Sequence, residues 1–360
     1  MKPAAKTISR FDKFREMFKG KNRLLIVMQD NPDPDSIASA VALRKLANTL
    51  ANIQCTITHG GSVGRGENRA LVRYLDLNLR PFNEVDCTKF DFIAVVDAQP
   101  GTGNCSLPVD TVPDIVIDHH ALRDITRKVK FVDIRARYGA TATILLEYLI
   151  QAGIMPDVPL ATALLYAIRS DTQDLGRRAT RADVKAVGFL FPLANQKMVG
   201  EIQRGSVPKA YFHMLDEALR NARMFGQAII TNLGSIDNPD MIAEVADLLL
   251  REDETCWTMC IGVAQGKLFI SIRTSKEDVK ADKIIRKIIT GKGSGGGHQA
   301  FAGGQIPLQK NTKTEFDSLE KLVRRRFLKA IGNVEQHSEK LIPLSGSVKT
   351  QFKDQPGRQQ

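Results

Sequence analysis

The chain has 360 residues, 43% of them hydrophobic and 25% charged, the make-up of a soluble globular protein with room for two domains. No apolar run approaches the ~20 residues that span a bilayer, and the basic start of the chain lacks the apolar core of a secretory signal, so the expected location is cytoplasmic. The net charge of +11 points to an anionic partner such as a nucleotide, an oligonucleotide or polyphosphate; with aromatics at only 6%, a short substrate in a pocket fits better than a long stacked strand.

In chain order, Ile8, Phe11, Phe14, Met17 and Phe18 recur at near-helical spacing and predict a helix packed on the first domain. From residue 23 to about 195, short apolar runs alternate with amphipathic stretches. Strands are expected at 23–29, 53–58, 91–97 and 114–118, and helices at 36–50, 66–76, 140–153, 159–170 and 181–191. That alternation predicts an α/β domain, a mostly parallel sheet with helices on both faces. Thr180 with Asp183 three residues later reads as a capping box. Residues 196–225 are polar and read as a connector that ends in a helical stretch. A smaller α/β domain follows, with strands expected at 226–233, 256–264 and 267–273 and helices at 240–251, 280–290 and 313–332. The last residues, 345–360, have the composition of a disordered tail. The five cysteines form no CxxC pair, which favours reduced thiols over a structural zinc site.

Chemistry-bearing residues collect where apolar segments end. Asn31-Pro32-Asp33-Pro34-Asp35 follows one run, and Ser36 is placed to cap the helix after it. Asp97 closes a second run, Asp118-His119-His120 a third, and Asp171 a fourth. Each has a plainer explanation when taken singly: a helix-capping loop, a turn aspartate, one buried and one exposed histidine, a polar helix end. In a parallel sheet, however, such ends converge on one edge. Carboxylates gathered there repel one another unless a cation lies between them. Oxygen donors with one or two imidazoles suit Mn²⁺ or Mg²⁺ better than a thiophilic metal, and a two-ion site suits in-line phosphoester hydrolysis.

Residues 291–304 are rich in glycine, which lets backbone N–H groups approach a phosphate or base closely. His298 and Arg273 could add side-chain donors, and Gly303 and Gly304 would let the following helix pack closely. A flexible linker is the alternative for this segment. Its spacing does not match a Walker loop.

Together these motifs resemble the DHH phosphoesterase family over about residues 22–335. The resemblance rests on Asn-Pro-Asp33-Pro-Asp35 with Ser39, Val-Val-Asp97, Asp118-His119-His120, Ser-Asp171-Thr and Gly-Gly-Gly-His298-Gln-Ala-Phe-Ala-Gly. It is nearest the small RecJ-like enzymes of the nanoRNase and pAp-phosphatase type. It implies a DHH catalytic domain over 1–195, a DHH-associated substrate-binding domain over 226–335, and an active-site cleft between them. It implies metal ligands at Asp33, Asp35, Asp97, His119 and Asp171, and catalytic residues Asp118 and His120. Substrate would meet Arg273, Gly295, Gly296, Gly297 and His298, with Arg65 and Arg69 as further phosphate contacts; a solvated helix start is the plainer reading of that pair. Where the family has a histidine four residues before its first aspartate, this chain has Gln29, a poorer ligand that cannot ionise.

The expectation is a Mn²⁺-dependent phosphoesterase holding two ions, with Mg²⁺ as the other candidate. Its partners would be short RNA or DNA oligonucleotides, linear dinucleotides of the pApA type, or 3′-phosphoadenosine 5′-phosphate. No membrane partner is expected, and a homodimer is compatible with the fold type. Two other readings stand beside it: an exopolyphosphatase or pyrophosphatase, and a nucleotide-binding regulatory protein whose metal site is weakened at Gln29.

Overall fold

The structure is a computed structural model and describes residues 9–276, 278–297, 300–333 and 337–343; Ile8 and the tail 345–360 lie outside the described residues. The chain divides into two units, Met1–Val207 and Pro208–Gln360.

The first unit runs α1 (Arg10–Glu16), β1 (Arg23–Val27), α2 (Pro34–Ala51), β2 (Gln54–His59), α3 (Gly66–Tyr74), β3 (Arg80–Pro81), β4 (Phe92–Val96), β5 (Ile115–Asp118), β6 (Phe131–Ile134), α4 (Thr141–Gln151), α5 (Val158–Asp171), α6 (Arg181–Leu190) and α7 (Gln196–Gln203). Its six strands are all parallel, in the order β3-β2-β1-β4-β5-β6. The chain reverses its direction of winding between β1 and β4. A crevice opens at such a switch point, beyond the carboxyl ends of the strands.

The helices lie on one face of this sheet, not on both as expected. Leu24, Ile26, Ala94, Val96, Ile115 and Ile117 point into a core shared with residues of α1 to α5. On the other face Leu25, Val27, Val95 and Val116 are covered by Phe82, Phe90, Leu107 and Val129, which belong to loops and short 3₁₀ turns. The connection Gln99-Pro100-Gly101-Thr102-Gly103 shows why: its proline and glycines cannot sustain a helix there.

Helix starts fix the geometry of the crevice. Asp33 caps α2, its carboxylate accepting from Ser36 N at 3.0 Å, with Pro34 pre-setting the first turn. Ser36, read as the cap, instead lies inside the helix, and its hydroxyl accepts from Gln29 N at 3.3 Å. The Thr180–Asp183 capping box is present at α6. α4 has no side-chain cap of its own. Its first amides, Thr141 N and Ala142 N, both donate to Asp35 at 2.7 Å, so α2 caps α4.

The second unit runs α8 (Lys209–Asn221), β7 (Arg223–Phe225), β8 (Ala228–Ser235), α9 (Asp240–Leu249), β9 (Trp257–Ala264), β10 (Lys267–Thr274), α10 (Ala281–Ile289), β11 (Ser294–Gly297), β12 (Phe301–Pro307), α11 (Lys313–Ala330) and β13 (Glu339–Lys340). The strands form one mixed sheet in the order β11-β12-β10-β9-β8-β7-β13. α10 and α11 pack on one face around Met259, Ile270 and Phe327. α8 and α9 pack on the other around Ile229, Leu233 and Cys260. The stretch 196–225 thus carries two helices and a short strand, with α7 in the first unit and α8 in the second. Among the described residues no helix is long and apolar enough to cross a membrane.

Candidate metal centre

Three strand-end segments and one helix end meet at the switch point. Asp33 and Asp35 follow β1, Asp97 follows β4, and Asp118 ends β5 and hands on to His119 and His120. Asp171 arrives differently, on the last turn of α5. His119 is the hub. Its Nε2 lies 3.2 Å from Asp171, 3.7 Å from Asp97 and 4.0 Å from Asp35. Its Nδ1 donates to Tyr138 O at 3.1 Å, which assigns the ring proton to Nδ1 and aims the ligating nitrogen at the carboxylates.

Asp97 sits at φ +55 and is 1% exposed. A non-glycine residue held in the left-handed region is a mark of local constraint. One of its oxygens, Oδ1, accepts from Thr141 Oγ1 at 2.9 Å. The other, Oδ2, is buried with no hydrogen-bond partner. A buried carboxylate oxygen left without a donor is costly unless a cation meets it.

The electrostatics agree. Burial, and then the carboxylates around it, hold Asp97 well above the ordinary aspartate range. Burial, then Asp171, pushes Asp35 up to about 7 even though two helix amides favour its charge. Asp33 is raised for the same two reasons, opposed by hydrogen bonds from Ser36 N and the Gln29 side chain. Burial works against a charged His119, yet the hydrogen bond to Asp171 and the surrounding carboxylates take it up to about 10. Protons thus do what a divalent cation would do better: they neutralise converging oxygens. The donor set of carboxylates plus one Nε2 fits Mn²⁺ or Mg²⁺. Asp35, His119 and Asp171 form one group close enough to share an ion, and Asp97, His119 and His120 a second.

Asp118 plays another part. Burial would raise it, but donation from His120 Nδ1 at 2.7 Å and from Gln99 Nε2 at 2.7 Å holds it at about 2. A permanently charged Asp118 fixes the His120 ring and puts that imidazole's proton chemistry on Nε2. The cluster is graded in exposure: the side chains of Asp35 and Asp97 are 1% exposed, those of Asp171 and His120 30% and 31%, so its open side is the His120 and Asp171 side.

Gln29 lies at this rim, and its side chain hydrogen-bonds Asp33. Its Oε1 accepts from Asn104 Nδ2 at 3.5 Å, and an amide at this sequence position offers no imidazole lone pair. Arg69 donates to the carbonyls of Gly64 and Ser206, which ties the start of α3 to the turn after α7. Arg65 lies 3.7 Å from Glu67.

The substrate-binding residues expected in the second unit divide in two. The glycines are strand residues, β11 pairing with β12, not a loop. A Cβ on Gly295 would strike Gly303 O and Ile289, and one on Gly297 would strike Phe301 O. Gly304, expected to serve the helix after it, packs against Ile285 and Ile289 of the preceding helix, α10. Only Gly296 of the triplet faces open space, beside its partner Gly303. Arg273 is 5.7 Å from the Phe301 ring and pairs with Asp247 and Ser271 Oγ. His298 lies outside the described residues.

Sequence reasoning missed the residues that hold the cluster. Thr141 binds Asp97, the Tyr138 carbonyl orients His119, and Gln99 joins Asp118 to Arg123 N and Thr126 Oγ1. Gln99 stands two residues after Asp97, and a polar amide that near a strand-end aspartate was the available signal.

The profile described as the DHH family N-terminal domain matches residues 23–168, and that of the DHHA1 domain matches 225–327. An uncharacterised protein of Methanocaldococcus jannaschii is 33% identical over 323 residues, 88% of this chain; the chain spans 66% of that protein's length. Among solved structures, an exopolyphosphatase-related protein of Bacteroides fragilis has a TM-score of 0.69 at 12% identity, covering 91% of this chain and 100% of that one. RecJ of Thermus thermophilus, in complex with Mn²⁺, has a TM-score of 0.52 at 16% identity, covering 89% of this chain and 56% of that one. At these identities the two structures show a shared fold.

Proposed function

The chain belongs to the DHH phosphoesterase family, whose members are metal-dependent hydrolases, and from that premise we propose that it is a Mn²⁺-dependent phosphoesterase acting on short nucleotides. The substrates proposed are di- to pentanucleotide RNA, linear dinucleotides of the pApA type and 3′-phosphoadenosine 5′-phosphate. One observation carries the reading: His119 Nε2 faces three carboxylates at a switch point where a buried oxygen of Asp97 has no donor.

In this reading Asp33, Asp35, Asp97, His119 and Asp171 hold the ions, which supply Lewis-acid stabilisation of charge on the phosphoryl oxygens. His120 orients the phosphoryl group or protonates the leaving oxygen, its ring held by Asp118. Arg273 gives a fork-shaped donor to a terminal phosphate, and the bare backbone at Gly296 and Gly303 gives a flat surface to a base. Arg65 and Arg69 stay in this reading as further phosphate contacts, although the Arg69 guanidinium also donates to the carbonyls of Gly64 and Ser206.

The test incubates purified protein and Mn²⁺ with a short RNA, pApA, 3′-phosphoadenosine 5′-phosphate and polyphosphate side by side. Mononucleotide or phosphate release from the nucleotides is expected, and Asp97→Ala and His119→Ala should abolish it. Release from none of the nucleotides would end the proposal, and release from polyphosphate alone would transfer it to the exopolyphosphatase reading. A second reading, a nucleotide-binding regulator, is favoured by one feature: the Gln29 amide hydrogen-bonds Asp33 in place of a ligating imidazole. It expects tight nucleotide binding without turnover.

A further inference from the structure

The Arg- and Lys-rich helix α11 has no part in the proposed chemistry, and its charges are not spent evenly. Leu319, Val323 and Phe327, at four-residue spacing, bury one face of it in the core beneath the second sheet. Of the three consecutive arginines, Arg326 donates to the carbonyls of Ile288 and Thr290 and so caps the end of α10. Arg324 pairs with Glu320 at 3.5 Å. Lys321, Arg325 and Lys329 are exposed, and among the described residues no hydrogen bond or ion pair holds them. Spaced four residues apart, they form one stripe with charges about 6 Å apart along the axis. Like charges at that spacing repel and weaken a helix unless an anion lies along them.

The stripe borders a groove of about 1330 Å³ between α11 and β7. Arg223 of β7 faces it from the other side, and among the described residues no acidic side chain lines it. Its floor is apolar, with Leu322 and Leu328 half-buried and Phe225 buried. We propose that this groove binds single-stranded nucleic acid, the cationic stripe meeting successive phosphates of one strand while the apolar floor takes the bases. Lysine and arginine in a row follow a phosphodiester backbone, and the guanidinium forks of Arg223 and Arg325 suit phosphate oxygens. Without an exposed aromatic in the floor, contact is through phosphates, so binding is sequence-tolerant and strongly salt-dependent. The site shares no residue with the metal cluster or the glycine strands. It does not rest on the hydrolytic reading, and it would hold a chain longer than the short substrates proposed above.

The experiment measures fluorescence anisotropy of a labelled single-stranded RNA of roughly a dozen nucleotides with the full chain in EDTA, so that no hydrolysis intervenes. The triple variant Lys321→Gln, Arg325→Gln, Lys329→Gln is compared with wild type at several salt concentrations. The variant should bind at least about tenfold more weakly and lose about two units of the log–log salt slope, in line with three fewer phosphate contacts. Its melting temperature should be equal to or slightly above wild type, since the charge repulsion along the helix is relieved, and its hydrolysis of pApA should match wild type. Unchanged affinity and slope in the triple variant would overturn the proposal. So would loss of RNA binding in Asp97→Ala with retention in the triple variant, because the strand would then lie at the metal centre. Displacement of the RNA by polyphosphate but not by unlabelled RNA would overturn the assignment to nucleic acid.

Discussion

Asp97 and Asp133 are both 1% exposed and lie on one sheet, yet their charges are handled in opposite ways. Asp133, within β6, accepts from Arg10 at 2.7 Å, Arg135 at 2.8 and 3.1 Å, and Tyr148 OH at 2.7 Å. Arg135 also reaches Glu147 and covers the Tyr138 ring. Asp97, beyond β4, has one neutral hydroxyl donor and is surrounded by other carboxylates. A buried charge with its counter-charges supplied by the chain is a structural device, with modest or no net gain over an apolar core. Asp97 instead shares one imidazole, His119 at 3.7 Å, with Asp35 and Asp171, which leaves the converging carboxylates short of positive charge. The comparison therefore separates a residue that holds the fold from residues proposed to hold a cation.

Substitution at the two positions should give opposite results. Asp97→Ala removes a group the folded protein holds at a cost. Activity should fall below about one-thousandth of wild type, beyond the roughly 10–100-fold loss typical of residues that only orient a ligand. Thermal unfolding in EDTA should show a melting temperature equal to or above wild type. Asp133→Asn leaves Arg135 and Arg10 without their carboxylate and should cost about 3–5 kcal/mol. For a unit of this size that is a fall of roughly 10 °C in melting temperature, with the rate per folded molecule kept. If Asp97→Ala destabilises the metal-free protein as Asp133→Asn does, the contrast between the two sites collapses.

The same contrast explains what the sequence revealed. Asp33, Asp97, Asp118-His119-His120 and Asp171 were legible together, because several polar residues closing separate apolar runs converge on one edge of a parallel sheet. β6 was not, because Phe131-Val132-Asp133-Ile134 follows Arg127, Lys128 and Lys130 and carries a charge that Arg10, Arg135 and Tyr148 make tolerable in a sheet. β3 is two residues long, held by β2 alone. β11 reads as a loop because glycine has no strand propensity; pairing with β12 and the fit of Gly295 beneath Ile289 make it a strand. In each case tertiary contacts from distant parts of the chain overrode the local signal. The groove beside α11 was hidden likewise, since the sequence shows eleven Lys/Arg from Lys310 onward without showing which are already engaged.

The uncompensated site should also respond to pH. In the metal-free protein His119 keeps its proton up to about 10 and Asp35 up to about 7. Mn²⁺ must displace these protons, so its affinity rises with pH, by at least about tenfold per unit between pH 7 and 8 and more steeply below 7. The folded-state signs follow. The raised Asp35 adds stability at pH values below its unfolded value of ~3.9, and this is lost as pH rises through about 7. The raised His119 adds stability below ~6.5 that is lost through about 10. Mn²⁺ should therefore raise the melting temperature more at about pH 8 than at about pH 5.5. Titration calorimetry in buffers of different ionisation enthalpy should show proton release on binding. A Mn²⁺ affinity that stays flat from about pH 6 to about pH 8 would contradict this assignment of the protons.

The smallest effect expected is at Gln29, and it sharpens the comparison most finely. The Gln29 side chain gives Asp33 a neutral donor, so this one corner of the metal cluster is partly compensated, as Asp133 is fully. That donor draws on the Asp33 carboxylate and contributes no imidazole nitrogen to an ion. Gln29→His removes the donor and adds a ligand, which should tighten the weaker of two Mn²⁺ equivalents by about tenfold. Electron paramagnetic resonance of free Mn²⁺ would count the equivalents directly, and turnover should rise a few-fold with them. If instead the wild-type protein already binds two equivalents tightly and its turnover is unchanged by Gln29→His, Gln29 is no defect and the regulatory reading loses its basis. If turnover is absent in wild type and appears with histidine, the protein is a nucleotide binder one substitution away from hydrolysis.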